Sequence, residues 1–218
     1  MPWRLHRSGR LRAWLGRRFG GDAELGDRVL RRLLHGAGVA VLLYFLLPAG
    51  IFLVLPTSAV LLLALATVLA VEGLRLAGAI EMPTIRPYER HRIASYAWYA
   101  IALTAAVLLF PAPVAVVAVL GVAAVDPLIG ELRTLGARRW YPAGPIAAYA
   151  GIAVAVLLGA GWDPARAVGG ALVAAAVAVA AERPRVAGLD DDLAMTVLPA
   201  IALWAVGLLG PNPPLAPP

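Results

Sequence analysis

The chain has 218 residues and a net charge of +6, and 61% of its residues are hydrophobic while only 15% are charged. Soluble domains are about 45–50% apolar and about 25% charged, so this composition argues against a soluble globular protein and excludes a disordered main body. The chain has no cysteine, which excludes disulfides, thiolate nucleophiles and cysteine metal sites.

Seven apolar segments approach the roughly 20 residues that a helix needs to cross a bilayer. Proline, glycine and charged residues separate them. The predicted spans are 36–55, 57–79, 95–110, 112–132, 145–161, 165–181 and 192–209. We therefore predict an all-α, polytopic membrane protein with a basic N-terminal segment at 1–35, a transmembrane domain at 36–209 and a Pro-rich tail at 210–218.

The arginines fix an orientation for these spans. All 19 basic residues are arginine, and 18 of them lie in the N-terminal segment or in alternate loops, Arg166 being the exception. The positive-inside rule then predicts a cytoplasmic N-terminus and an external C-terminus. Residues 1–20 interleave arginines with leucine and aromatic residues, which is typical of a segment on anionic lipid, although a mobile basic tail remains an alternative.

Asp126 lies within the fourth predicted span, about 10 Å from its cytoplasmic end. A carboxylate at the centre of a span costs about 2.5–3.5 kcal/mol on insertion scales, so it calls for a function. Asp126, Gly130 and Arg133 share one helix face by their i, i+4, i+7 spacing. We interpret that face as the floor of a metal and phosphate site; the alternative is a buried ion pair that only fixes packing.

Three adjacent carboxylates, Asp190, Asp191 and Asp192, open the seventh predicted span. They repel one another unless a cation neutralises them, and Mg²⁺ suits carboxylates combined with substrate phosphates. Capping of the helix start explains one of the three. Glu182 ends the sixth span on the same side and is a candidate to join this cluster.

Glu72 and Arg75 lie three residues apart near the cytoplasmic end of the second span, and Arg90 is one of the arginines in the loop that follows. Arginines there are candidates to grip phosphates through charge-assisted hydrogen bonds. The alternative is a solvated loop that only sets topology. His35, at the start of the first span, is interpreted as an interfacial residue.

These acids and arginines share the cytoplasmic side at shallow membrane depth. Carboxylates for a cation, arginines for phosphates and lateral access for a lipid are the requirements of phosphoryl or nucleotidyl transfer to a lipid. The sequence has no Walker A loop and no kinase glycine-rich loop. A small-solute transporter remains open on composition alone.

Four short motifs together resemble the family of dolichol and phytol kinases, which are related to the phosphatidate cytidylyltransferases. The matching elements are Arg28 to His35, which resembles an Arg-Lys-x-x-His entry; Glu72-Gly73-Leu74-Arg75, which resembles Glu-x-x-Arg; Val125 to Gly130, which resembles Gly-Asp-x-x-Ala-x-x-Gly; and Glu182 with Asp190-Asp191-Asp192-Leu193, which resembles Glu…Asp-Asp-Asn-Leu. Val125 stands where the family has Gly, and Asp192 stands where it has Asn.

The resemblance implies a membrane kinase that transfers the γ-phosphate of CTP to a long-chain isoprenoid alcohol such as dolichol, polyprenol or phytol. It implies Mg²⁺ on Asp126, Asp190 and Asp191, with Glu72, Glu182, Asp126 and Asp191 as catalytic residues and Arg75, Arg90, Gly130 and Arg133 at the nucleotide. A CDP-lipid-forming cytidylyltransferase, the transporter and an inactive membrane partner are the alternatives. We expect partners among membrane lipids and nucleotides and none among nucleic acids; the oligomeric state stays open.

Overall fold

The computed structural model describes most of the predicted transmembrane domain. The described residues are 29, 32–33, 35–47, 56–80, 82, 85, 89–182 and 190–209. The predicted amphipathic segment at 1–20, the Pro-rich tail at 210–218 and the predicted cytoplasmic arginines Arg183 and Arg185 lie outside these residues. The described part of the chain is built from helices, which confirms the predicted all-α class.

Seven apolar helices follow one another in the described ranges, each within a predicted span or within a few residues of it. They are α1 (His35–Leu46), α2 (Thr57–Leu76), α3 (Ser95–Leu109), α4 (Ala112–Thr134), α5 (Ala143–Gly159), α6 (Pro164–Ala181) and α7 (Asp191–Leu208). From Val39 to Leu46, α1 is a 3₁₀-helix, and a short 3₁₀ turn, Arg138–Trp140, lies between α4 and α5.

Proline and capping residues set where several of these helices begin. Pro56 and Pro111 precede α2 and α4 in extended backbone conformations. Asp163 caps α6 by accepting a hydrogen bond from the Arg166 N–H at 3.2 Å, and Pro164 takes the first helical position, where its missing N–H costs nothing.

Among the described helices four, α2, α4, α6 and α7, are long and apolar enough to cross a membrane. The other three are shorter: α3 has 15 residues, or about 22 Å of helix against the roughly 30 Å of a hydrocarbon core. Large apolar side chains such as Leu63 and Leu172 are exposed on the long helices. The structure therefore supports association with a membrane, whereas seven complete crossings and their orientation stay predictions.

Small residues let the helices of the core approach closely. Helix α7 packs against α3, α4 and α6, and α4 also packs against α1 and α5. Ala167, Ala171, Ala174 and Ala178 on α6 are fully buried, which is the small-residue interface typical of membrane bundles. Helix α2 is peripheral and packs mainly against α3.

Gly121 on α4 provides a test of this packing. A Cβ added there would lie 2.6 Å from Tyr149 Cζ on α5, and Tyr149 is only 1% exposed. Because the ring has no room to move, we expect Gly121→Ala to destabilise the protein by about 1–3 kcal/mol. Thermal unfolding in detergent measures this. Gly151→Ala is the control, since a Cβ there meets nothing within 4 Å; equal unfolding midpoints for both variants would contradict the packing.

Nearly all described charged side chains lie at one end of the bundle. At this end, called the polar end below, α1, α3, α5 and α7 begin and α2, α4 and α6 finish. It carries His35, Glu72, Asp126, Glu182 and the aspartates Asp190 to Asp192. Contacts between these side chains across different helices define the candidate site.

Candidate functional site

His35 brings two aspartates from distant parts of the chain together. Its Nε2 lies 3.2 Å from Asp192 Oδ1 and 3.6 Å from Asp126 Oδ2. The three residues come from α1, α4 and α7, and each offers one ligand atom within 4.8 Å of the others. Asp192 is only 4% exposed, so its carboxylate has left most of its water and depends on partners inside the protein.

Tyr99 on α3 holds His35 in place. The two rings stack with centroids 4.5 Å apart and an interplanar angle of 25°, and the Tyr99 hydroxyl donates to the His35 backbone carbonyl at 3.0 Å. The Tyr99 ring also fills the space beside Gly38, where an added Cβ would lie 2.6 Å from the Tyr99 hydroxyl. Helix α3 therefore fixes the imidazole that faces Asp126 and Asp192.

The predicted aspartate triplet forms a second group around the start of α7. One carboxylate oxygen from each of Asp190, Asp191 and Asp192 lies within 4.8 Å of the others. Asp190 caps α7 by accepting a hydrogen bond from the Asp192 N–H at 3.2 Å. Burial, followed by the charge of Asp192 and contact with Asp191, raises the pKa of Asp190 to about 7. A divalent cation would offset this crowding of negative charge.

The two groups share Asp192. Sequence reasoning assigned a metal to Asp126, Asp190 and Asp191, whereas the structure makes Asp192 the residue common to both groups and leaves Asp191 less buried than Asp192. The structure brings Asp126 close to Asp192 of the predicted triplet, because both carboxylates contact His35. The interpretation of His35 as only an interfacial residue missed this contact, although the Arg-Lys-x-x-His motif contained it.

Glu72 and Arg75 form a buried ion pair that ties α2 to the start of α3. Arg75 Nε and Nη2 donate to the two Glu72 carboxylate oxygens at 2.6 and 2.7 Å. Glu72 also accepts from the Ala94 N–H at 2.7 Å and from the Tyr96 hydroxyl at 2.5 Å. Both charged residues are buried, at 3% and 7% exposure, so the pair depends on these hydrogen bonds for its stability.

The Arg75 guanidinium also binds the main chain of the α2–α3 connection. Nη2 donates to the Arg92 carbonyl at 2.7 Å, and Nη1 donates to the Arg90 carbonyl at 3.4 Å. Arg75 thereby fixes the segment that leads into α3. Contacts of Arg75 and of the exposed Arg90 with a nucleotide stay predictions.

Arg133 on α4 forms an ion pair with Glu182, the residue that follows α6. Glu182 has a buried carboxylate, and it also accepts from the Tyr141 hydroxyl at 3.2 Å. These contacts join the ends of α4 and α6 to the start of α5. Gly130 lies between Asp126 and Arg133 on α4, and the space beside it is open, since an added Cβ would meet nothing within 4 Å.

No family model, curated protein or solved structure matches this chain. The chemistry of the donor groups is therefore the basis for judging the site. The aspartate triplet supplies only oxygen donors, which Mg²⁺ prefers, while His35 adds one nitrogen beside Asp126 and Asp192. The residues at the polar end fit a divalent cation in which carboxylates are ligands and His35 acts as a hydrogen-bond donor to Asp192.

Proposed function

We propose that the protein is a membrane-embedded kinase that transfers the γ-phosphoryl group of CTP to a long-chain isoprenoid alcohol. The observation that carries the proposal is the convergence of Asp126, Asp192 and His35 from three helices at one end of an apolar bundle. An inert membrane helix gains nothing from a carboxylate at that depth. The resemblance to dolichol and phytol kinases supplies the reaction and the substrates.

In this proposal Asp126 and Asp192 would hold Mg²⁺, together with Asp190 and Asp191. The bound cation would neutralise charge on the triphosphate, which is most of what phosphoryl transfer requires from a protein. His35 donates a hydrogen bond to Asp192 and so orients that carboxylate. The open space beside Gly130 gives a phosphate group room to approach the α4 backbone.

The transfer itself exchanges one bond for another. The alcohol oxygen bonds to the γ-phosphorus while the bond from that phosphorus to its bridging oxygen breaks; CDP leaves and the hydroxyl proton is released. The exposed apolar surfaces of α2, α6 and α7 let an isoprenoid chain remain in the bilayer while its hydroxyl reaches the polar end. In this proposal the polar end faces the cytoplasm at the cell membrane, as the arginine distribution predicts.

Labelled nucleotide distinguishes the kinase from a CDP-lipid-forming cytidylyltransferase. Purified protein is incubated with Mg²⁺, a panel of prenols, phosphatidic acid and CTP labelled at either the α- or the γ-phosphorus. We expect γ-label in a prenyl phosphate and CDP in solution. Incorporation of α-label into lipid would assign a cytidylyltransferase instead, and label in no lipid, with the protein folded, would overturn the proposal.

A further inference from the structure

Ser95, the first residue of α3, contacts the aspartate triplet although no sequence motif points to it. Its Oγ lies 3.2 Å from Asp190 Oδ2. Its Oγ and its backbone N–H also donate to Glu89 Oε1, at 2.6 and 3.2 Å. Glu89 is 4% exposed. Its buried carboxylate, from the α2–α3 connection, therefore holds the Ser95 side chain and N–H in position.

The hydroxyl of Ser95 has one proton and two lone pairs. The contact with Glu89 is shorter than the contact with Asp190 by 0.6 Å, the difference between 3.2 and 2.6 Å. The shorter hydrogen bond to Glu89 is the stronger of the two, so a lone pair of Oγ is available on the Asp190 side. A hydroxyl that donates to a carboxylate also becomes a better acceptor.

Two acceptor oxygens, Ser95 Oγ and Asp190 Oδ2, thus face each other beside the other carboxylates of the triplet. Oxygen atoms arranged in this way suit a hard divalent cation, which takes hydroxyl and carboxylate oxygens as ligands. Serine and threonine hydroxyls contribute to Mg²⁺ sites of this kind elsewhere, as in phosphate-binding loops.

We propose that Ser95 Oγ is an additional oxygen ligand of the divalent cation at the polar end, and that Glu89 is the positioning residue that directs it. This inference rests on the cation of the proposed function and adds α3 to the helices that hold it. The Glu72–Arg75 pair supports the same arrangement from α2, because Glu72 binds the Ala94 N–H next to Ser95.

Binding of Mn²⁺ to the purified full chain in detergent, followed by electron paramagnetic resonance, tests the inference without any turnover. We expect Ser95→Ala to raise the Mn²⁺ dissociation constant by about 10-fold or more, as loss of a group at a metal site does. Ser95→Thr keeps the hydroxyl and should stay within about 2-fold of the unsubstituted protein. Glu89→Gln retains an acceptor for Ser95 and should weaken binding less than Glu89→Ala.

Two further variants keep the result independent of folding. Ser95→Val and Ser95→Thr have nearly the same shape, so weaker binding in the valine variant reports the hydroxyl and not packing. Ser58→Ala removes a serine from the first turn of α2, at the opposite end of that helix from Glu72, and should bind Mn²⁺ as the unsubstituted protein does.

An unchanged dissociation constant in Ser95→Ala and Ser95→Val would overturn the inference, and so would the absence of saturable Mn²⁺ binding to the unsubstituted protein. Failure of the proposed function gives a different result. If a folded protein binds Mn²⁺ in a Ser95-dependent way but phosphorylates no lipid, the proposed kinase activity is wrong and the role of Ser95 as a cation ligand is supported.

Discussion

Asp126→Asn is expected to lower kcat/KM for prenol phosphorylation by about 100-fold or more while the protein still folds. Asparagine keeps the size of the side chain and one acceptor oxygen, but it removes the charge that would hold a divalent cation beside Asp192. Losses of this size are typical when a group that stabilises transition-state charge is removed. The assay is transfer of γ-label from CTP to a prenol, and the unfolding temperature in detergent checks the fold.

The matched control for this prediction is Asp163→Asn. Asp163 is also an aspartate next to a membrane helix, but it lies at the start of α6, away from the polar end, and its side chain caps that helix. Asparagine caps helices equally well, so activity should persist. Full activity in Asp126→Asn would remove Asp126 from the site.

The same assay ranks the members of the aspartate triplet. Asp192 contacts His35, belongs to both candidate metal groups and is more buried than Asp191. We therefore expect Asp192→Asn to lower activity more than Asp191→Asn does. The reverse order would favour the original sequence-based assignment of the metal to Asp126, Asp190 and Asp191.

Glu72→Ala is expected to destabilise the protein by about 3–5 kcal/mol, because it leaves the Arg75 guanidinium buried without its carboxylate. The substitution also removes the acceptor for the Ala94 N–H and the Tyr96 hydroxyl. These bonds attach the peripheral α2 to α3, so the loss should lower the unfolding temperature by on the order of 10 °C. Thermal unfolding in detergent is the measurement.

Two comparisons separate the buried pair from a general effect of charge. Glu131→Ala breaks an exposed ion pair, since the side chains of Glu131 and Arg32 are 34% and 42% exposed. This substitution should lower the free energy of unfolding by less than about 1 kcal/mol. The double variant Glu72→Gln with Arg75→Met leaves no unpaired charge and should be more stable than Glu72→Ala. If Glu72→Ala unfolds at the same temperature as the unsubstituted protein, the Glu72–Arg75 pair does not contribute to stability.

The helices were predictable because their signals are local. Pro56, Pro111 and Pro164 interrupt the apolar sequence, and α2, α4 and α6 begin at or directly after these prolines, within a few residues of their predicted starts. The 3₁₀ conformation of Val39–Leu46 had no such signal, since hydropathy responds to composition and not to the pitch of the helix. The shortness of α3 was visible in the sequence, which allows only about 16 apolar residues before Pro111.

The site was predictable in its charges but less so in its pairings. The cost of placing Asp126 in a span and the repulsion within the triplet both pointed to a common cation, and the fold brings them together through His35. Which carboxylate faces which partner depends on helix rotation and packing. For this reason the pairing of Arg133 with Glu182, the role of Tyr99 behind His35 and the contact of Ser95 with Asp190 emerged only from the structure.

The most direct test is a titration of Mn²⁺ into the unsubstituted protein and into the double variant Asp126→Asn with Asp192→Asn, with bound metal measured by electron paramagnetic resonance. If carboxylates from α4 and α7 hold one cation between them, the unsubstituted protein binds Mn²⁺ saturably and the folded double variant does not. Equal binding of Mn²⁺ by the two proteins, or no binding by either, would contradict a shared cation site at the polar end.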